Sequence, residues 1–261
     1  MAIGSERSLL IDNRFKRAIV AVVGDTHFGR VLRFFYFKQA LDKLPFYPGS
    51  ILDAGCGKGY LSIYLARRYP NARVVGMDLG RADLVEAECI RQAAHLNNLA
   101  FVHGDVQRPI GVNAFDLIVS SEVLEYVPDE TAALKHLNQA LRPGGILLLH
   151  LMHAEGGYRQ LGARRLFKTQ PGQWRDTGMV RAGYTERDLE AQLKHVGFTD
   201  IALEPTFGVI GMFAHSWFEV GRTWPAPLYF LLFPLLVLLG HCDVRARKVH
   251  GGALLATGRK S

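Results

Sequence analysis

A chain of 261 residues can bury one sizeable core, as one domain with an appendage or as two small domains. A hydrophobic fraction of 49% and a charged fraction of 21% exclude an intrinsically disordered protein. The 31 basic and 24 acidic side chains give a net charge of +7, which fits an anionic membrane surface, a nucleic acid or an acidic substrate.

Cysteine usage bears on the compartment and on metal binding. Cys56, Cys89 and Cys242 lie far apart and are odd in number, so they predict neither a disulfide framework nor a zinc site. We therefore expect no metal and a reducing compartment, the cytoplasm. The short apolar run at 18–24 lacks a cleavage site, and we interpret it as helix rather than as a signal peptide.

From residue 50 onward, predicted strands alternate with predicted helices. Apolar runs of strand length are found at 50–54, 73–78, 100–105, 115–121, 146–151, 199–204 and 253–257. Helices are predicted at 59–69 and 81–96, and after the capping residues Asp129 and Thr185. The helix after Asp129 is expected to include Leu141 and to end at the Pro-Gly-Gly that follows. This alternation predicts a doubly wound α/β fold with a seven-stranded, mostly parallel sheet.

The first predicted strand runs into a glycine-rich loop, in the segment ILDAGCGKGY at 51–60. Its glycines follow the pattern G-x-G-x-G, and Tyr60 stands where a dinucleotide fingerprint requires a third glycine. Lys58 lacks the partners of a phosphate-binding loop. The helix that follows still offers free N–H groups to a ligand. We therefore expect this loop to bind a pyrophosphate poorly, which argues against a nicotinamide-dependent reductase.

Three carboxylates end the first three predicted strands. Asp53 precedes the glycines, Asp78 is placed to accept hydrogen bonds from ribose hydroxyls, and Asp105 is placed to accept one from an adenine amino group. A negatively charged loop favours cationic groups such as a sulfonium and an α-amino group. The alternative for Asp53 or Asp78 taken alone is a helix cap.

Five segments carry a family resemblance. DAGCGKG, GMD, HGD, FDLIVSSEVLEYV and LRPGGILLLHL, in this order and at these distances, resemble the class I S-adenosylmethionine-dependent methyltransferases. The closest likeness is to the broad group that acts on small molecules, quinones and lipids. The resemblance covers about residues 48–204 and the final strand. It implies a Rossmann-like methyltransferase fold and S-adenosylmethionine as the cofactor.

The resemblance also implies a place in the cofactor site for eleven residues. The residues implied for the methionine part are Asp53, Gly55, Cys56, Gly57 and Gly59, with Asp53 near the ammonium or at the backbone turn. Those implied for ribose are Asp78 and Leu79, and those implied for adenine are Asp105 and Val106. Ser120 and Ser121, followed by Glu122, would flank the sulfonium.

Methyl transfer from a sulfonium depends mainly on alignment and on the exclusion of water. A base is needed only when the acceptor is a hydroxyl or a carbon acid. The candidates near the ends of the fourth and fifth strands are Glu122, Tyr126, His150 and His153. We favour His153 slightly, and packing or surface exposure is the alternative for each. Tyr126 stands where many relatives carry histidine. The sequence SSEVLEY lacks the D/N-P-P-Y/F pattern of base methyltransferases, so we expect no nucleic acid partner.

We predict three parts of the chain. They are a helical cap at 1–49, a cofactor-binding domain at 50–205 with 251–261, and an apolar helical insertion at 206–250. Three aromatic residues of the cap, Phe34, Phe35 and Phe37, are expected either to line the acceptor pocket or to pack on the sheet.

Two segments lie outside the core pattern. Residues 152–185 are basic, and Arg159, Arg164, Arg165 and Lys168 are expected either to meet an anionic group of the acceptor or to lie on a solvated face. The stretch 223–240 carries no charge but contains three prolines. Since both of its ends must return to one sheet, we expect a helix at the membrane interface, a lid over the acceptor, or packing on the core or in a homodimer.

These observations predict a methyltransferase that acts on a hydrophobic small molecule or lipid-like acceptor, in the cytoplasm or at the inner face of the membrane. The alternatives are a membrane-associated binding protein that keeps the fold without catalysis, and a nicotinamide-dependent reductase.

Overall fold

The structure, a computed structural model, describes Ser8 and residues 27–154, 178–221 and 226–261. Seven strands form one sheet. Their bounds are β1 Ser50–Ala54, β2 Arg73–Asp78, β3 Leu99–His103, β4 Phe115–Ser121, β5 Leu141–Met152, β6 Phe198–Thr206 and β7 Ala253–Lys260. Seven α-helices lie within the same ranges, together with a 3₁₀ helix at Leu124–Tyr126. Their bounds are α1 Phe28–Asp42, α2 Tyr60–Arg68, α3 Arg81–Ala93, α4 Glu130–Ala140, α5 Glu186–His195, α6 Val209–Gly221 and α7 Ala226–Arg245.

The strands follow the order β3-β2-β1-β4-β5-β7-β6. The first five strands of the chain pair in parallel, whereas β7 pairs antiparallel with both β5 and β6. The predicted seven-stranded, mostly parallel α/β sheet is therefore confirmed. The order of the strands reverses between β1 and β4, and ligands of doubly wound sheets bind outside the strand ends at such a point.

Both predicted helix caps form. The carboxylate of Asp129 accepts a hydrogen bond of 2.9 Å from the backbone N–H of Ala132 at the start of α4. The hydroxyl of Thr185 accepts one of 3.2 Å from the N–H of Asp188 at the start of α5. Each cap satisfies one of the N–H groups that the first turn of a helix leaves without a partner.

The prediction that α4 includes Leu141 is wrong. The helix ends at Ala140, and Leu141 is the first residue of β5, where it pairs with Phe115. A register shift then leads to the pair of Ile146 with Leu117. The Pro-Gly-Gly segment lies in this irregular stretch, so it bends the beginning of a strand instead of separating helix from strand.

The sheet has a buried cluster on each face. Neighbouring residues of one strand go to opposite clusters, as Leu117 and Ile118 of β4 do, because side chains alternate along a strand. A third cluster joins the inner faces of α1, α6 and α7. Its members include Phe28, Leu32, Tyr36, Met212, Phe218, Phe233 and Leu236.

The insertion between β6 and β7 contains α6 and α7, and its inner side packs on α1. Among the described helices, none combines the length and the apolar character that a membrane crossing requires. The first part of the predicted apolar stretch, 223–225, lies outside the described residues. The predictions for Arg159, Arg164, Arg165 and Lys168 fall within 155–177, which is also outside them.

Candidate active site

The glycine loop after β1 forms the floor of the site. The backbone N–H groups of Gly55 and Cys56 donate hydrogen bonds of 2.7 and 3.0 Å to the carbonyl of Met77 at the end of β2. Gly55 has a φ of 80°, and a Cβ there would lie 2.1 Å from a methyl carbon of Val123, so only glycine fits. Gly57 has a φ of 50°, and a Cβ there would meet no atom within 4 Å. This loop therefore leaves open space above Gly57.

Asp78 holds the loop in place. One oxygen of its carboxylate accepts a hydrogen bond of 2.7 Å from the N–H of Gly57, and the other accepts one of 2.7 Å from the N–H of Gly80. A carboxylate oxygen has two lone pairs, so each oxygen keeps the capacity to accept a further hydrogen bond.

A first cavity of about 260 Å³ lies beside Asp78, at the carboxyl ends of the strands. The predicted site residues that line it are Gly55, Asp78, Leu79, Asp105, Val106, Glu122 and Tyr126. The carboxylate of Asp105 accepts a hydrogen bond of 2.9 Å from the N–H of Gln107, which also lines the cavity. The structure thus brings together the carboxylates that follow β2 and β3.

A second cavity of about 260 Å³ lies on the other side of Gly55. The predicted site residues that line it are Asp53, Gly55, Cys56, Gly57 and Ser121. Helix α1 supplies its opposite wall through Arg30, Arg33, Phe34 and Phe37. Phe35 turns away from this cavity, and its ring stacks on His241 with 4.0 Å between the ring centroids.

Asp53 is 2% exposed, and its carboxylate accepts a hydrogen bond of 2.6 Å from the Ser62 hydroxyl. Burial raises the pKa of Asp53 to about 7, with a smaller contribution from the charge of Asp78 and with the Ser62 hydrogen bond opposing. Burial also raises the pKa of the Cys56 thiol, as do the charges of Asp53 and Asp78. Cys56 is therefore a protonated thiol at neutral pH and a poor nucleophile.

Arg33 connects α1 to the end of β4. Its guanidinium lies 2.8 Å from the carboxylate of Glu122 and donates a hydrogen bond of 3.4 Å to the Ser121 hydroxyl. Glu122 has a φ of 53°, in the left-handed region that residues other than glycine rarely adopt. The Nε atom of Arg33 is buried and has no hydrogen-bond partner among the described residues. No local sequence pattern singles out Arg33.

Ser120 and His150 line neither cavity. The Ser120 hydroxyl donates a hydrogen bond of 2.8 Å to the carbonyl of Ala54. His150 is fully buried, with Nε2 at 3.0 Å from the Thr206 hydroxyl, and burial lowers its pKa well below the ordinary value. Both side chains join strands of the sheet, and their predicted roles in the site stay predictions.

His153 follows β5 and also lies outside the two cavities. Its Nε2 atom is 3.0 Å from the carboxylate of Glu186 at the start of α5. Although burial opposes it, the hydrogen bond with His153 holds the pKa of Glu186 below its ordinary value. No local sequence pattern marks Glu186 as a site residue.

Glu125 is a second residue near the site that was not predicted from the sequence. It is fully buried, and one of its oxygens accepts a hydrogen bond of 2.6 Å from the N–H of Met152. The other oxygen has no hydrogen-bond partner in the described part of the chain. Burial raises the pKa of Glu125 to about 7. The available signal was a single acidic residue between apolar neighbours in the segment VLEYV.

Residues 30–203 match a family model described as a methyltransferase domain, which covers more than half of the chain. The chain belongs to this family. The match includes both cavities and the loop between them. It confirms the predicted class I S-adenosylmethionine-dependent methyltransferase family and, with it, S-adenosylmethionine as the cofactor.

Two curated relatives match the central part of the chain. Trans-aconitate 2-methyltransferase of Deinococcus radiodurans is 38% identical over 125 residues, which cover 47% of this chain and 46% of that protein. The malonyl-[acyl-carrier protein] O-methyltransferase of Xylella fastidiosa is 38% identical over 106 residues, which cover 40% of this chain and 35% of that protein. The matched part thus spans less than half the length of these relatives.

A solved structure shows the same fold. The phosphoethanolamine N-methyltransferase 2 of Haemonchus contortus, in complex with S-adenosyl-L-methionine, superposes with a TM-score of 0.61 over 87% of this chain and 52% of that chain. The two sequences are 17% identical, so the likeness concerns the fold alone.

Proposed function

We propose that the protein transfers a methyl group from S-adenosylmethionine to a hydrophobic small molecule or lipid-like acceptor. The observation that carries this proposal is that Gly55 lines both cavities, which are therefore adjacent. One has the carboxylates of Asp78 and Asp105 in its wall, and the other has the Asp53 carboxylate and the aromatic side chains of α1. This arrangement suits a ligand with a polar nucleoside end and a cationic amino acid end.

The residues present fit the cofactor. The open space above Gly57 leaves room for a ligand at the loop, and Asp78 keeps acceptor capacity for ribose hydroxyls. We assign Asp78 with Leu79 to the ribose, and Asp105 with Val106 to the adenine. We assign the methionine part to the loop residues Asp53, Gly55, Cys56, Gly57 and Gly59. S-adenosylmethionine, when bound, supplies a methyl group on a positively charged sulfur that is already activated for displacement.

The protein's contribution is then positioning and electrostatics. Asp53 and Glu122 place negative charge or hydrogen-bond acceptors beside the two cavities, which favours a cationic donor over its neutral product. Phe34 and Phe37 form an apolar wall that excludes water from the second cavity. Arg33 fixes the Glu122 side chain through their ion pair.

We propose that His153 is the general base that takes the proton when the methyl group is transferred to a hydroxyl. It directly follows β5, and its contact of 3.0 Å with the Glu186 carboxylate fixes the orientation of the imidazole ring. Glu122 and Tyr126 line the first cavity and are the other candidates. His150 is fully buried on the sheet, which makes it the least suited of the four.

A carboxylate-bearing acceptor is a second candidate, favoured by one observation. Arg30 and Arg33 both line the second cavity and place two guanidinium groups in its wall. Guanidinium groups recognise carboxylates through paired hydrogen bonds. The names of the two curated relatives, trans-aconitate and malonyl methyltransferases, also refer to carboxylate compounds.

The test is isothermal titration of the purified protein with S-adenosylhomocysteine, the expected product. We expect micromolar binding, and we expect NADPH to bind far more weakly because the loop lacks the third glycine of a dinucleotide site. Turnover of labelled S-adenosylmethionine is then measured with lipids, quinones and trans-aconitate as acceptors. A folded sample that binds NADPH and not S-adenosylhomocysteine would overturn the proposal, and binding without turnover would favour a non-catalytic binding protein.

A further inference from the structure

Helix α7 exposes a continuous stripe of leucines. They are Leu228, Leu231, Leu235 and Leu238, with exposed fractions of 52%, 79%, 52% and 58%. Their spacing of three or four residues puts them on one side of the helix. Phe233 and Leu236 point to the other side, into the cluster with α1, and are 4% and 1% exposed. One side of α7 thus serves the core, and the opposite side is an apolar surface.

Helix α6 packs on α7 and also exposes apolar side chains. Val209, Phe213 and Trp217 recur every four residues and are 61%, 49% and 41% exposed. The rings of Phe213 and Trp217 pack against each other with 6.3 Å between their centroids. We call these three residues and the four leucines of α7 the apolar face. It holds seven of the fifteen large apolar side chains that are exposed in the described ranges, whereas the other eight are scattered.

Basic side chains flank the apolar face at the C-terminal end of α7. Arg245 and Arg247 are exposed there, and so is Lys38 on the neighbouring α1. Burial lowers the pKa of His241, and the charges of Arg245 and Lys38 contribute to this shift. Asp243, the acidic residue of α7, is 1% exposed and is hydrogen-bonded to Tyr36 and Gly208, so it does not offset them at the surface.

We propose that the apolar face docks on the surface of a lipid bilayer that carries anionic headgroups. A helix with an apolar side and a basic end lies in the plane of the interface, with the leucines among the acyl chains and the cations among the headgroups. Both ends of the insertion return to strands of one sheet, which fits docking and not crossing. A second copy of the chain could cover the leucines, but a protein partner leaves the clustered cations without a role.

Docking has a consequence for the active site that rests on the proposed function. Helix α1 packs on α6 and α7 through Phe28, Leu32 and Tyr36, and it lines the second cavity through Phe34 and Phe37. Packed helices lie roughly 10 Å apart. In the docked protein, α1 and the insertion therefore lie between the second cavity and the membrane.

The test is flotation of the full chain with vesicles, comparing phosphatidylcholine alone with equal parts of phosphatidylcholine and phosphatidylglycerol. We expect the wild-type protein to float with the anionic vesicles and to be released by high salt. The double variant Leu231→Gln/Leu235→Gln should bind them at least about tenfold more weakly, because both leucines leave the acyl region. Val112→Gln, which changes an equally exposed residue far from the insertion, is the matched control and should bind like wild type.

Three results would overturn the inference. The first is wild-type protein that floats with neither kind of vesicle, and the second is a double variant that floats like wild type. The third is wild-type protein that is a dimer and binds no vesicles, with a double variant that is a monomer. Titration of the double variant with S-adenosylhomocysteine separates this inference from the proposed function. If the double variant no longer floats but still binds S-adenosylhomocysteine, the substitutions have affected only the apolar face. If the wild-type protein floats but does not bind S-adenosylhomocysteine, only the proposed function is contradicted.

Discussion

Asp78 has two tasks at the edge of the sheet. Its carboxylate fixes the backbone of Gly57 and Gly80, and it also forms part of the wall of the first cavity. A side chain that shapes the loop and contacts the ligand contributes twice to binding, because a preformed site loses less entropy when the ligand arrives.

We therefore expect Asp78→Ala to weaken S-adenosylhomocysteine binding at least about tenfold, or about 1.4 kcal/mol, in a titration at neutral pH. Asp116→Ala is the matched control. Its carboxylate also holds two backbone N–H groups, those of Gly49 and Ser50 at 2.9 and 2.8 Å, but it lies at the amino ends of β1 and β4. Equal affinity of wild type and Asp78→Ala would remove the ribose assignment.

Glu125 predicts a pH dependence of stability. Its pKa is about 7 in the folded protein, against an ordinary value of 4.5. Between these values the folded state keeps the proton that the unfolded state has lost, so the free energy of unfolding falls as the pH rises from about 4.5 to 7. The decrease from this one group is about 3 kcal/mol.

The measurement is urea unfolding of wild type and Glu125→Gln at pH 5 and pH 7.5. Glutamine keeps the oxygen that accepts from Met152 and cannot ionise, so the variant should lose less stability between the two pH values than wild type does. Glu190→Gln, which changes a glutamate of an exposed surface pair, should follow wild type. Parallel pH profiles for wild type and Glu125→Gln would contradict the prediction.

Helices α1 and α7 are joined by a buried polar contact in an apolar cluster. The Tyr36 hydroxyl donates to the Asp243 carboxylate and accepts a hydrogen bond of 3.1 Å from the N–H of Phe207. The same carboxylate accepts one of 3.0 Å from the N–H of Gly208. Burial and the charge of Asp243 raise the pKa of Tyr36, so the hydroxyl stays protonated and keeps its role as donor.

Removal of that hydroxyl should destabilise the protein. Tyr36→Phe leaves a buried N–H without a partner and a buried carboxylate with one donor fewer, which costs about 2–3 kcal/mol in the free energy of unfolding. Tyr47→Phe is the control, because the Tyr47 side chain is 59% exposed, and its loss should be small. Equal stability of Tyr36→Phe and wild type in urea unfolding would show that the contact contributes nothing.

The sequence predicted the strands well because buried parallel strands leave an uninterrupted apolar run between turn residues. The β1 and β4 bounds agree with those runs. The prediction was poorer where tertiary contacts override local signals, as at Leu141, which pairs with Phe115 although it continues the helical pattern of α4. Helix α6 was not predicted separately, because an apolar sequence that packs on one side and is exposed on the other shows no polar face.

The site divides in the same way. The glycine loop and the carboxylates could be predicted to lie together, because each of them is at the end of a predicted strand and such ends meet at one edge of the sheet. Arg33 and Glu125 could not, since each acts through a contact with a distant segment. Arg33 meets Glu122 from another helix, and Glu125 meets the backbone of Met152 at the end of a neighbouring strand.

At the scale of the whole molecule, α1 contacts both the second cavity and the insertion. One side of it belongs to the cofactor site and the other to the insertion, so a displacement of α7 would be transmitted to the wall of the second cavity. Because interiors are closely packed, such a displacement is carried by the whole helix and is not absorbed locally.

The place of β7 between β5 and β6 affects how the chain can fold during synthesis. β6 pairs with no strand except β7 within the described ranges, and the entire insertion is synthesised between them. As the nascent chain leaves the ribosome, β5 and β6 therefore expose unpaired edges until residues 253–260 emerge and fill the gap. Such edges are sites of association between chains, so completion of the sheet is a late step that chaperones would need to guard.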